Sequence, residues 1–374
     1  KARKGIKASR CGWLGAHDTI TLMKAPLRVA VIGLGRAGWD IHVNHLKGRT
    51  DFALAACGDP LADRRAQAEG ELKVKTFPDL KSLLRAKLAD LVVVATRSVD
   101  HAPDSIAALK SGCHVVCEKP MATTLKDTDG MIAAAKAAKR QLFIHQNYRW
   151  HDDSRHLREI IDSKVLGDVY EIRARWIGYA RRNDWQTLRK NGGGVLNNTG
   201  PHLVDTMLQL LDAPCVNVWS DLKHLKDAGD CEDHVKLILR GKYGRVCDLE
   251  VSTAVALPSP KWTLLGTAGA MTSDGTTSKL RYFDPARAPA LKAVDGAVPG
   301  RKYGVVGTKD ELPWVEETRP TKPTAPGGNF YDNVAGVLLR GEKMIVTPPQ
   351  AREIMRVIGV AKKGTPFEDK PGKT

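Results

Sequence analysis

The sequence predicts an α/β architecture in which a doubly wound parallel sheet is followed by an α+β domain with a large, open, mainly antiparallel sheet. Three observations carry this expectation. Five short apolar runs alternate with helix-compatible stretches between residues 27 and 145. The first run ends in the glycine-rich turn Gly33-Leu34-Gly35-Arg36-Ala37-Gly38. Beyond residue 169, further alternating segments follow one another, the later ones with no helix between them, as antiparallel neighbours require. At 374 residues the chain also exceeds one ordinary core, so two domains are expected.

In chain order, strands are expected at residues 27–32, 52–57, 91–95, 114–117 and 142–145, with helices near 37–47, 61–69, 79–85, 102–111 and 125–139. The first domain then spans 26–147. A helix near 154–163 opens a second domain, 148–364, with strands at 169–177, 216–222, 234–239, 245–252, 262–265 and 279–283. Residues 284–328 are rich in Pro and Gly and read as a long excursion; helices at 329–339 and 349–361 close the domain before a polar tail, 365–374. Residues 1–25 read as a basic leader or disordered arm, since Met23 stands just before the first strand as a natural start.

The formal charge is +16, of which about +12 lies beyond the basic first 22 residues. Lys and Arg are scattered, with no aromatic-interleaved basic block, so nucleic acid is not an expected partner. No apolar run is long enough to span a bilayer, so no membrane partner is expected either. The seven cysteines, Cys11, Cys57, Cys113, Cys117, Cys215, Cys231 and Cys247, sit mostly in apolar, strand-like surroundings and read as reduced core thiols of a cytoplasmic protein. The first 22 residues contain no apolar signal core. Because the chain begins with Lys1, a removed export signal stays open. Cys113 and Cys117 are the nearest pair, but core packing ranks ahead of zinc, and no metal is expected.

Three stretches can carry chemistry. In the first, Gly33 suits the turn at the strand end, Gly35 admits a pyrophosphate, and Gly38 lets the helix lie close to the sheet. Asp59, after the second strand, can accept hydrogen bonds from ribose hydroxyls and favours NAD, or it can simply cap the next helix. Arg64 and Arg65, one turn later, keep NADP open. In the second stretch, Glu118-Lys119-Pro120 places a lysine at the carboxyl end of a parallel strand, where it can orient a hydroxyl or polarise a carbonyl. In the third, residues 191–205 (NGGGVLNNTGPHLVD) set Asn198 and His202 four apart, on one face if a single helix runs through them; Pro201 warns of a kink. His202 is of the type that exchanges a proton near working pH. Tyr148, Arg149, Trp176, Tyr179, Arg181 and Trp185 form an aromatic and basic set suited to sugar-like ligands, with core packing as the competing reading of Trp176 and Trp185.

Together these stretches resemble the glucose-fructose oxidoreductase, inositol dehydrogenase and rhizopine-catabolism (Gfo/Idh/MocA) family over about residues 27–364. The resemblance rests on VIGLGRAG, Thr96 with His101, VVCEKP, Asp184-Trp185 leading to the triple glycine, and VTPPQAREIMRVI at 346–358. It implies a Rossmann domain, an open-faced α+β substrate domain, and NAD or NADP as cofactor. It also implies hydride transfer at a carbon of a sugar, sugar derivative or cyclitol. Catalytic roles map onto Lys119 and His202, with Asn198 positioning. Cofactor contacts are expected at Gly33, Gly35, Arg36, Ala37, Gly38, Asp59, Thr96, His101, Glu118 and Lys119. Where many members carry Asp, this chain has Asn198, which cannot accept a proton as a carboxylate does. Two alternatives accompany this expectation: a redox-assisted lyase or glycoside-cleaving enzyme that recycles bound NAD, and a non-catalytic NAD-binding protein. A homodimer or homotetramer is expected, with the exposed sheet face as a contact.

Overall fold

The computed structural model describes residues 22–293, 295–296, 312–323 and 328–369. Most of the basic leader with Cys11, part of the Pro- and Gly-rich excursion and the end of the polar tail lie outside the described residues.

Six strands, β1 (Leu27–Ile32), β2 (Phe52–Gly58), β3 (Lys75–Phe77), β4 (Leu91–Val94), β5 (His114–Cys117) and β6 (Leu142–Ile144), form a sheet in the order β3-β2-β1-β4-β5-β6. Every pairing is parallel. Strands β4, β5 and β6 are buried at every position, which is why they read as unbroken apolar runs. The strand order reverses between β1 and β4, and ligands of such sheets bind at that switch point. The glycine turn lies there. Gly33 takes φ +89°, and a Cβ on Gly38 would stand 1.7 Å from the Gly33 carbonyl oxygen. The chain then turns helical at Ala37–Val43, in a wide π turn, and continues through Asn44–Leu46.

Eight strands form the second sheet: β7 (Val169–Ile177), β8 (Cys215–Lys223), β9 (His234–Gly241), β10 (Val246–Ser252), β11 (Trp262–Gly266), β12 (Gly269–Ser273), β13 (Thr277–Tyr282) and β14 (Val315–Pro320). Their order is β14-β13-β12-β11-β7-β10-β9-β8, antiparallel throughout except between β7 and β10. One face is apolar: Ile172, Ala174, Leu237, Leu239, Leu249, Val251 and Leu264 are buried there in one core with residues of the helices Gly200–Leu210 and Pro348–Lys362. Between them along the strands stand charged residues, with Arg175 paired to Asp248 at 2.6 Å.

Three strands escape the sequence pattern. β3 has three residues, β12 is built of small ones, and β14 is a charged edge strand, Val-Glu-Glu-Thr-Arg-Pro, inside a stretch read as loop. Residues 330–340, read with the second domain in the sequence, pack against the first sheet. The helix Phe330–Arg340 buries Phe330, Tyr331, Val334 and Leu338 against Leu27, Val29, Phe52 and Phe143, and its Leu338 carbonyl accepts from Met23 N–H at 2.9 Å. Among the described residues no helix is long and apolar enough to cross a membrane.

Gly38→Ala is expected to lower the unfolding free energy by about 1–3 kcal/mol, because the new methyl must displace the Gly33 peptide. Thermal denaturation reads this as a fall in Tm; an unchanged Tm would show that the turn has room to spare.

Candidate active site

Glu118 and Lys119 leave β5 at the carboxyl edge of the first sheet and point in opposite directions. Glu118 turns into the core. Its Oε1 accepts from His42 Nε2 at 3.0 Å and His145 Nδ1 at 2.7 Å, and its Oε2 accepts from the Lys119 backbone N–H at 3.0 Å. The Tyr331 hydroxyl completes the set with His42 Nδ1 at 2.7 Å. Burial pushes the Glu118 carboxyl up, but His145 and His42 outweigh it and hold the group well below the usual carboxylate range. Among the described residues, His42, Glu118 and His145 are the one trio whose ligand-type atoms converge, and hydrogen bonds already join them.

Lys119 points outward, and its Nζ donates to the Asn198 carbonyl oxygen at 2.7 Å and lies 3.5 Å from Asn198 Oδ1. Burial lowers its pKa, Glu118 opposes that, and Arg36 and Arg182 add to it. His101 holds the Lys119 turn in place by bonding the Pro120 carbonyl at 2.7 Å and the Thr96 carbonyl at 3.2 Å.

The glycine run leads into two helices, with the break falling just before Pro201. Val195–Asn198 and Gly200–Leu210 are separate, with Thr199 between them and Pro201 in the first turn of the second, where its missing N–H is harmless. Glu232 fastens the first: its Oε1 accepts from Leu196 N–H at 3.0 Å. His202 lies in the first turn of the second helix, with ring centroids 6.0 Å from Tyr148 and 6.2 Å from Trp176. Burial, and then the charge of Lys119, push its pKa down to about 3. His202 Nδ1 and Trp176 Nε1 are both buried without a hydrogen-bond partner.

Beside them opens a cavity of about 520 Å³ lined by Arg175, Trp176, Thr199, Ser259, Lys261 and Asp274. Lys261, which no local pattern marks in the sequence, bonds Asp153 at 2.7 Å and the Tyr148 hydroxyl at 2.9 Å, and its Nζ stands 5.0 Å over the Trp176 ring. Of the expected substrate set, Tyr148 and Trp176 adjoin His202. Arg149 does not. It is clamped to Asp205 at 2.6 Å and to the Ile345 carbonyl at 2.8 Å, as a structural tie. Tyr179 is 63% exposed and Trp185 37%, and Arg181 is exposed; none of the three contacts His202.

Residues 27–146 match the family described as an oxidoreductase family with an NAD-binding Rossmann fold, and residues 154–272 match the GFO/IDH/MocA C-terminal domain. This chain belongs to the Gfo/Idh/MocA family. It is 31% identical over 199 residues to a D-glucoside 3-dehydrogenase of Escherichia coli, covering 52% of this chain and 57% of that enzyme. It is 32% identical over 224 residues to a myo-inositol 2-dehydrogenase of Thermotoga maritima, covering 58% of this chain and 66% of that one. An NAD-binding protein from Listeria innocua shares the fold, with a TM-score of 0.77 at 24% identity over 91% of this chain and 96% of that one.

The residues present fit the NAD(P) of the Gfo/Idh/MocA family. At Gly35 a Cβ would meet only the Arg64 guanidinium, at 3.6 Å, so the turn is open on the side where a pyrophosphate approaches. Gly33, Gly35, Arg36, Ala37 and Gly38 line this turn, Thr96 follows β4, and Lys119 stands beyond β5. Glu118 and His101, both expected at the cofactor, are buried and support the Lys119 turn. Asp59 is nearly fully buried. Its Oδ2 accepts from Leu34 N–H at 2.8 Å and Arg64 Nη1 at 3.2 Å, and its Oδ1 from Leu61 N–H at 2.9 Å. A local turn ahead of the next helix and support of the glycine turn thus occupy this carboxylate.

His202 has a direct pH signature. Above its ordinary value of 6.5 it is neutral in both folded and unfolded states and adds no pH dependence. Below that, the unfolded chain binds a proton that the folded one refuses until about pH 3, so stability falls with acid across this window. The ring resonances of His202 are expected not to titrate between about pH 5 and 8; a midpoint near 6.5 by NMR would contradict the buried placement.

Proposed function

We propose that the protein transfers a hydride between NAD(P) and a carbinol or keto carbon of a sugar, sugar derivative or cyclitol. One observation carries the reading: Lys119 Nζ bonds Asn198 at the carboxyl edge of the first sheet, and the His202 ring, which feels the Lys119 charge, lies near Tyr148 and Trp176. The nicotinamide, when bound, supplies hydride-transfer chemistry. Lys119 donates to the reacting oxygen and stabilises charge developing there. His202, neutral, offers Nδ1 to the hydroxyl proton. Asn198 positions the same oxygen, and Tyr148 and Trp176 give the ring of the substrate an apolar wall. The names of the glucoside and inositol dehydrogenase relatives support this substrate class.

Arg64, bonded to Asp59 at 3.2 Å, keeps NADP open beside NAD as the carrier. Six buried free cysteines support a reducing, cytoplasmic setting. The open face of the second sheet supports a homodimer or homotetramer.

Lys119→Ala is expected to lower kcat on the order of 100-fold while the Kd for NAD(P) is kept. The assay that tests the function incubates the protein with NAD or NADP and a panel of sugars, glycosides, cyclitols and sugar acids, following nicotinamide absorbance and product masses. Reduced cofactor in step with a product two hydrogens lighter supports the dehydrogenase. A product with no net cofactor change would move the reading to redox-assisted cleavage. Cofactor binding with no turnover on any compound would favour a binding protein.

A further inference from the structure

We propose that Arg182 and Gln186 are positioning residues that lock the Asn198 amide with its NH2 group toward the reacting oxygen, so that the site recognises the carbonyl form of its substrate. The argument follows hydrogen-bond polarity from two groups that can only donate. The Arg182 guanidinium donates to Gln186 Oε1. That contact fixes which way the Gln186 amide faces, and its Nε2 then donates to Asn198 Oδ1 at 3.1 Å. From the other side Lys119 Nζ, again a donor only, stands 3.5 Å from the same oxygen. With Oδ1 facing two donors, Nδ2 is the part of the amide left for a ligand.

The relay is anchored at both ends. Arg182 pairs with Asp184 at 2.6 Å, and its backbone N–H donates to Asp227 at 3.1 Å. The Gln186 carbonyl accepts from Gly194 N–H at 2.8 Å, tying this segment to the start of the helix that carries Asn198. An aspartate at position 198 would present only acceptors to a substrate hydroxyl. Here Lys119 and Asn198 both present donors, which suits a carbonyl or a developing oxyanion better than a hydroxyl that must shed its proton. The consequence for substrate rests on the hydride-transfer reading above; the orientation of the amide does not.

The test uses the full chain and separates these two parts. In side-chain amide NMR spectra of the wild type, the Gln186 NH2 is expected to be protected from exchange and the Asn198 NH2 not. Gln186→Glu still accepts from Arg182 but cannot donate, so Asn198 must turn and become the protected amide. A protected Asn198 in the wild type overturns the proposal. If Gln186→Glu does not fold, Arg182→Met serves, with both amides expected to lose their fixed pattern. For the substrate part, NADH-loaded protein is titrated with 2-keto-myo-inositol and myo-inositol, and with a methyl 3-keto-glucopyranoside and its parent glycoside. The ketone of one pair is expected to bind at least about ten-fold tighter than its alcohol, a preference lost in Gln186→Glu and lost no further in Gln186→Glu/Asn198→Ala. Additive losses, or equal binding of ketone and alcohol, would overturn it. Binding of none of the four would count against the proposed substrate class while the spectra still decide the orientation.

Discussion

The site depends on one fully buried carboxylate. Glu118 keeps its charge in the core only because two imidazoles and a backbone N–H surround it, and an ion so placed without partners would be strongly destabilising. Those partners come from separate parts of the chain. His42 belongs to the helical turn after the glycines, His145 follows β6, and Tyr331, which bonds the far nitrogen of His42, belongs to the helix near the C terminus. A single ionised group therefore ties the cofactor turn, the Lys119 loop and a late helix into one rigid edge. Lys119 shares in the result, because the same carboxylate opposes the loss of charge that burial imposes on its ammonium.

Much of this is legible in the sequence. The buried strands of the first sheet announce themselves because each position of β4, β5 and β6 is in the core. Gly33 and Gly38 are explained by a positive φ and a contact too close for any side chain. Lys119 and His202 were marked by their places at a strand end and after a glycine run. What stayed hidden is what long-range pairing decides. Nothing local distinguishes Lys261 from a solvent lysine, or Gln186 from any polar loop residue, until the fold sets them against Trp176 and Asn198. The same holds for Arg149, whose guanidinium suits a sugar carboxylate or hydroxyl as well as it suits Asp205. Asp59 suits both a ribose contact and a cap in the sequence, and the structure spends its oxygens on the glycine turn, the chain ahead of the next helix and Arg64.

Polarity distinguishes the groups around this edge. Lys119 is a donor, His202 is kept neutral first by its burial, and the His202 Nδ1 and the Trp176 indole N–H are both buried without a partner. Orphaned buried polar atoms are uncommon in folded proteins, and two of the five among the described residues belong to these neighbouring rings, one of which lines the cavity.

The helix Phe330–Arg340 gives the molecule a property of a different kind. The chain leaves the first sheet after β6, builds the second sheet, returns to bury Phe330 and Tyr331 against β1 and β2, and ends with Pro348–Lys362 packed in a core that both sheets share. The two lobes are thus sewn together by three passes of one thread. A cut at residue 147 would not release the nucleotide lobe as a working piece, for it would carry off Glu118 while leaving Tyr331 behind. Any opening between the lobes is a flexing of all three passes at once, and the cleft inherits the stiffness of the seam.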